Sequence, residues 1–218
     1  MGATHLRTLL PGQRYPEDSN LISKASPIPI TKPVRRALGI GGFGQFNIAH
    51  YSAGTFTERT IENMHKAVIA AKTNASWRER MEEIRQEGRR LGAIGWKDYL
   101  GEVRWFNHYY RNIHPIDYVR DQHQVEMIMH PFITYAKGLG DCDDSSSLFA
   151  ASLGTIGAPH KFRTYKADAK RPDDWSHVVS QIYVPRKGWV NNDLTIYGAP
   201  MGYEPTGYEY KDWMEPRW

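Results

Sequence analysis

The chain holds one cysteine, Cys142, in the run Gly138-Leu139-Gly140-Asp141-Cys142-Asp143-Asp144-Ser145-Ser146-Ser147. The glycines ahead of it predict a tight turn, and the apolar run from Leu148 to Ile156 has helical spacing. A thiol at a helix N-terminus meets the positive end of the peptide dipole and exposed N–H groups. Both favour thiolate, the form that attacks a carbonyl carbon. A histidine, His177, follows in Trp175-Ser176-His177-Val178-Val179, and an acid, Asp193, in Gly188-Trp189-Val190-Asn191-Asn192-Asp193. Nucleophile, base and orienting group are therefore all present in one stretch of chain.

A lone cysteine more often fills a core as a small hydrophobe. The three aspartates beside this one argue otherwise, because buried charge is costly. Asp141, Asp143 and Asp144 thus predict a surface or cleft position for Cys142. Their charges also oppose a thiolate, so the helix end and a paired imidazolium must outweigh them. A calcium loop does not explain the acids: an EF-hand needs alternating acids, a central glycine and a distal glutamate, and none follows.

The elements that must bring these groups together are legible in outline. Ser176 to Val184 alternates and is rich in Val, Ile and Tyr, which predicts a strand. Pro185 to Gly188 reads as a turn and Trp189 to Ile196 as the return strand. A hairpin of this kind brings the start of its first strand beside the end of its second, where His177 and Asp193 lie. Strict pairing about the turn puts His177 opposite Ile196, so a bulge or a longer turn is expected to aim both side chains at one spot.

Gly-Leu-Gly-Asp-Cys142-Asp-Asp-Ser, a helix, Ile156-Gly157-Ala158-Pro159, His177-Val178, Gly188-Trp189 and Asp193 together resemble the transglutaminase-like cysteine peptidase superfamily, most closely its bacterial and phage-encoded members. The resemblance covers about Val103 to Tyr203. Asp117-Tyr118-Val119-Arg120-Asp121, Glu126 and Pro131 look like the lead-in of such domains. It implies Cys142 as nucleophile, His177 as base and then acid, and Asp193 as the group that orients the imidazole. It also implies an α+β, papain-like fold, with the cysteine-bearing helix packed on an antiparallel sheet. The acids around Cys142 depart from the pattern, as does Asn191-Asn192 beside Asp193. Asparagine orients histidine in related enzymes, so Asn192 stays an alternative for the third role.

Composition narrows the class. At 218 residues the chain allows one large domain, or a domain with an appendage. A net charge of +4 is too mild to require nucleic acid, and the basic stretch Arg78–Arg90 is interleaved with glutamates. One cysteine excludes an internal disulfide. The N-terminus lacks the regions of a signal peptide, and no apolar run approaches membrane-spanning length, which predicts cytoplasmic synthesis without a membrane partner.

Four segments are expected: an extended proline-rich arm over 1–54, a helical segment over 55–100, the catalytic domain over 101–203 and an aromatic tail over 204–218. Thr57 is the expected cap of a first helix with Ile61, Met64 and Val68 on one stripe. Ser76 and Glu79 form an expected capping box for a second, carrying Trp77, Met81, Ile84 and Leu91. A third, about Trp96 to Tyr110, has an aromatic stripe that reads as core. Gly39-Ile40-Gly41-Gly42-Phe43-Gly44 satisfies G-x-G-x-x-G but lacks the strand and helix a dinucleotide site needs. His108, His114, His123 and His130 show no paired metal-ligand spacing, so no metal and no cofactor is expected. The tail predicts a packed strap or a docking segment.

The expectation is a cysteine peptidase or amidase acting on a peptide or other amide through a thioester. The Cys142 N–H is one oxyanion donor, and Trp105, Tyr135 and Trp175 are candidates for a second. By analogy with phage-encoded members, the setting is a virion or cell wall. The alternative is a structural virion protein that keeps the fold with little catalysis and holds protein partners through its N-terminal arm.

Overall fold

The computed structural model describes residues 46–47, 53–95, 97–121 and 127–214, with side chains from residue 57 onward. The Gly39–Gly44 run, Trp96, His123, Glu126 and nearly all of the arm lie outside these residues.

Three helices lead into the site. Helix α1, Ala53–Thr73, buries Ile61, Met64 and Val68 as their spacing predicts. It begins before Thr57, so that residue is inside the helix and is not its cap. Helix α2, Ala75–Arg90, starts one residue before Ser76, and its cap is Asn74, whose side chain accepts from Trp77 N at 3.0 Å. The capping-box reading is corrected for that reason: Asn74 sits in an extended conformation with its oxygen on the third helical N–H. Helix α3, Tyr99–His108, is capped by Asp98 on Gly101 N. It runs on into a π-helical turn, Tyr109–Ile113, closed by His114 N donating to Tyr109 O at 2.8 Å. Trp105, Phe106, Tyr109 and Tyr110 are buried, so the aromatic stripe is core.

A short strand, β1 (Phe46–Asn47), pairs antiparallel with β3 (Met127–Ile128). Between them in sequence lies β2 (Asp117–Tyr118), which pairs in parallel with β4 (Leu139–Gly140). Helix α4, Pro131–Lys137, joins β3 to β4 and starts on Pro131, where the missing N–H costs nothing.

Helix α5, Cys142–Thr155, is the centre of the molecule. Leu148, Phe149, Ala150, Ala151 and Leu153 are all buried, the pattern of a helix enclosed on every side. It lies against β5 (His160–Tyr165) and β6 (His177–Val184), and Ser146 Oγ donates to Val178 O at 3.1 Å. With β7 (Gly188–Asn192) and β8 (Tyr210–Met214) these strands form one antiparallel sheet in the order β7-β6-β5-β8. The fold is a mixed α and β arrangement with the cysteine helix on an antiparallel sheet. One hydrophobic core draws side chains from α1 through β6, so the helices before residue 100 share a core with the residues after it.

The tail supplies β8, the edge strand of the main sheet. Asp212 on β8 takes Lys161 Nζ at 2.5 Å and Arg163 Nε at 2.6 Å, which ties the strand to β5.

Candidate active site around Cys142

Cys142 is the first residue of α5 and is half-buried, as the glycine-rich approach and the following apolar run predict. Asp141 is the N-cap of the helix. Gly140 must be a glycine for a steric reason: a Cβ there would lie 2.7 Å from Asp144 Cβ and 3.1 Å from Thr134 Cγ2. The close approach lets β4 run directly into the helix start.

The acids do not mark a surface. Asp141, Asp143 and Asp144 are all buried, and their oxygens lie within 4.8 Å of one another. Burial, with like charge from neighbours, lifts the Asp144 carboxyl to about 8 and holds Asp143 well above the usual range. At neutral pH an Asp144 carboxyl that titrates at about 8 keeps its proton for most of the time. Asp144 is also structural, since its Oδ1 accepts from Met129 N at 2.7 Å. Among the described residues, these three acids are a group that could offer a cation three carboxylate ligand atoms.

His177 opens β6, and its Nε2 meets Asp193 Oδ2 at 2.7 Å. Strand β7 stops at Asn192, one residue before the acid. Asp193 Oδ1 then accepts from Thr195 N at 2.9 Å, Thr195 Oγ at 2.7 Å and Ile196 N at 3.3 Å, which closes a tight turn. The register corrects the expected hairpin. Val184 pairs with Gly188 and Ser180 with Asn192, so residue 195 is level with His177. No bulge is involved: the strand ends early and the turn swings the carboxylate back toward the ring.

Burial is the largest influence on His177 and lowers its pKa. Hydrogen bonds and charge from Asp193 and Cys142 together outweigh it and hold the imidazole up at about 10. Asp193 shows the complement. Burial raises its pKa, but the bonds from His177 and Thr195 win and keep it below the usual carboxylate value. With Nε2 committed to Asp193, Nδ1 is the ring nitrogen left for the thiol.

Asn192, the alternative orienting residue, is buried with its side-chain amide bonded to nothing among the described residues. Its side chain makes no bond to His177. Two candidate oxyanion donors are also removed. Trp105 Nε1 donates to Ile84 O at 2.6 Å, and the Tyr135 hydroxyl faces that of Tyr109 at 3.3 Å, both in the core. Trp175 stays half-buried two residues before His177, with Lys166 Nζ 5.1 Å from its ring.

Other residues around the site were not singled out for it from sequence. Tyr118 is exposed on β2 and lies near enough to Cys142 for the thiolate charge to contribute, after burial, to raising its phenol pKa. Arg111, in the π-helical turn, donates Nη2 to Asp193 O and Nη1 to Ile196 O, the latter at 3.2 Å. Nothing local in the sequence distinguishes Arg111 from a surface arginine. His108, His114 and His130 take structural parts instead: His108 stacks on Trp105, His114 Nε2 lies 2.7 Å from Tyr135 O, and His130 caps α4.

Residues 98–194 match the model of the transglutaminase-like superfamily. The matched region runs from the cap of α3 through Cys142 and His177 to the residue after Asp193. It supports a cysteine hydrolase or acyltransferase type of family. No curated protein and no solved structure matches the chain significantly. Among the described residues, no helix is long and apolar enough to cross a membrane.

Proposed function

We propose that the protein is a cysteine peptidase or amidase in which Cys142 is the nucleophile, His177 the acid–base and Asp193 the orienting carboxylate. The observation that carries this reading is the 2.7 Å bond between His177 Nε2 and Asp193 Oδ2, on a ring that also interacts with Cys142. In the resting state His177 is an imidazolium at neutral pH, a form that pairs with a thiolate. The sulfur attacks the amide carbonyl, and the carbonyl electron pair moves to oxygen. The Cys142 N–H, unbonded within the first turn of α5, is one donor to that oxyanion. Collapse of the intermediate breaks the C–N bond as His177 gives its proton to the departing amine. Water then attacks the thioester as neutral His177 takes its proton, and collapse of that intermediate breaks the C–S bond, releasing the acid and returning the electron pair to the Cys142 sulfur. An amine reaching the thioester first would make the same centre an acyltransferase.

The test is the reaction of the single thiol with iodoacetamide at pH 6, where an ordinary thiol is almost unreactive. Fast alkylation, slowed at least tenfold by His177→Ala, is the expected result. Equal rates in the two proteins would reject the pair and the enzymatic reading. They would favour the alternative, an interaction protein that binds partners through the segment before α1.

A further inference from the structure

The bond between His177 and Asp193 requires the acid to be held at a point where the sheet no longer holds it. The β6–β7 ladder ends at the Ser180–Asn192 pair. Up to there the chain is secured: Ser180 Oγ donates to Asn192 O at 3.2 Å, and Gly202 N donates to Asn191 O at 2.7 Å. Beyond it, the bonds from Thr195 and Ile196 to Asp193 Oδ1 shape the turn but do not attach it to anything else.

Leu194 packs against the core from within the turn, and the polar attachment comes from Arg111. Its two Nη groups donate to Asp193 O and Ile196 O, the first and last carbonyls of the four-residue turn. Its Nε donates to Asn107 Oδ1 at 3.0 Å, one turn back on α3. The guanidinium thus has one edge on the helix and two prongs on the turn, a spacing that suits its planar fork of donors. Arg111 sits in the π-helical turn, which places one extra residue between its bonded groups relative to α-helix. Such turns recur at functional sites.

We propose that Arg111 is the positioning residue of the candidate triad. It clamps the 193–196 turn and so fixes the carboxylate against His177. The proposal rests on the Cys142–His177–Asp193 reading. Arg111 does not touch the reacting atoms. It acts through the place and orientation of Asp193, whose Oδ2 lies 2.7 Å from His177 Nε2.

The experiment follows the His177 ring by NMR across pH, alongside the rate of Cys142 alkylation at pH 6. It compares wild type, Arg111→Ala, Arg111→Lys and Asn107→Ala in the full chain. In wild type the ring is expected to titrate near 10. In Arg111→Ala the midpoint should fall below about 9, as a looser carboxylate supports the imidazolium less, and alkylation should slow about fivefold or more. A single ammonium cannot span both carbonyls, so Arg111→Lys should recover part of each loss. Asn107→Ala, which removes only the Nε anchor, should lie between wild type and Arg111→Ala. A merely structural arginine would lower the melting temperature and leave the ring titration of the folded protein unchanged. That result in Arg111→Ala would overturn the proposal, and if Arg111→Ala does not fold, the same result in Arg111→Lys and Asn107→Ala would do so. A wild-type ring titrating near the ordinary 6.5 would instead remove the His177–Asp193 pair itself, and the clamp with it.

Discussion

His177 and Asp193 meet through Nε2 and Oδ2 at 2.7 Å, although the hairpin register sets residue 195 level with the histidine. The carboxylate reaches the ring because β7 ends at Asn192 and the next residues fold back as a turn built on Asp193's own Oδ1. One oxygen of the acid shapes the turn and the other holds the imidazole. This division of labour makes the two oxygens separately testable.

Asp193→Ala is expected to lower Cys142 alkylation at pH 6 far more than Asn192→Ala, by about 100-fold or more in any amide turnover. The carboxylate holds the ring and supports its positive charge, whereas the Asn192 side chain makes no bond to His177. Asp193→Asn should keep the turn and lower the ring's titration midpoint. A larger loss from Asn192→Ala would transfer the orienting role to that residue.

The pH dependence of stability should carry two opposite signatures. Asp144, raised to about 8 from 3.8, contributes stability that is fully present below pH 3.8 and is lost as pH rises through about 8. His177, raised to about 10 from 6.5, contributes stability that is present below pH 6.5 and lost as pH rises through about 10. Asp193, lowered from 3.8, contributes stability above that value, lost as pH falls through its depressed folded pKa. Asp144→Asn should therefore raise the urea midpoint relative to wild type at about pH 8, with the difference shrinking toward about pH 4. A difference that is the same at both pH values would show that burial does not keep the Asp144 proton on.

Gly140→Ala tests the close approach ahead of the nucleophile. The added methyl would sit 2.7 Å from Asp144 Cβ, an atom fixed near the helix backbone. Relief requires the first turn of α5 to move, at a cost of about 1–3 kcal/mol, and Cys142 moves with it. Denaturant unfolding should show the loss, and alkylation at pH 6 should slow in the folded variant. Unchanged stability would mean that the helix start has more room than the distances indicate.

Much of the site was legible in the sequence, because its signals are local. A single thiol between glycines and an apolar helical run places Cys142 at a helix start whatever the rest of the chain does. The alternation from Ser176 predicts the strand that His177 opens, and the aromatic stripe of α3 predicts core. The order cysteine, histidine, acid along the chain is itself a property of the sequence.

Other features depend on distant groups meeting, and there local reading failed. The acids beside Cys142 look like a solvated face until the fold buries them, and burial then raises the pKa of Asp143 and Asp144. Thr57 lies inside α1 and the cap of α2 is Asn74, because a helix begins where its first bonds can close and several adjacent residues can serve as cap. Trp105 and Tyr135 read as possible donors to the site, but tertiary packing commits their polar atoms elsewhere in the core. Arg111 carries no local mark at all. Its relation to Asp193 spans more than eighty positions and exists only because α3, its π-helical turn and the end of β7 come together. The sequence by itself determined which groups are available and which elements carry them. The tertiary structure decided the direction of their pKa shifts, through burial at Asp144 and through hydrogen bonds that outweigh burial at His177 and Asp193, and the pairing of His177 with Asp193 over Asn192, through where a strand stops.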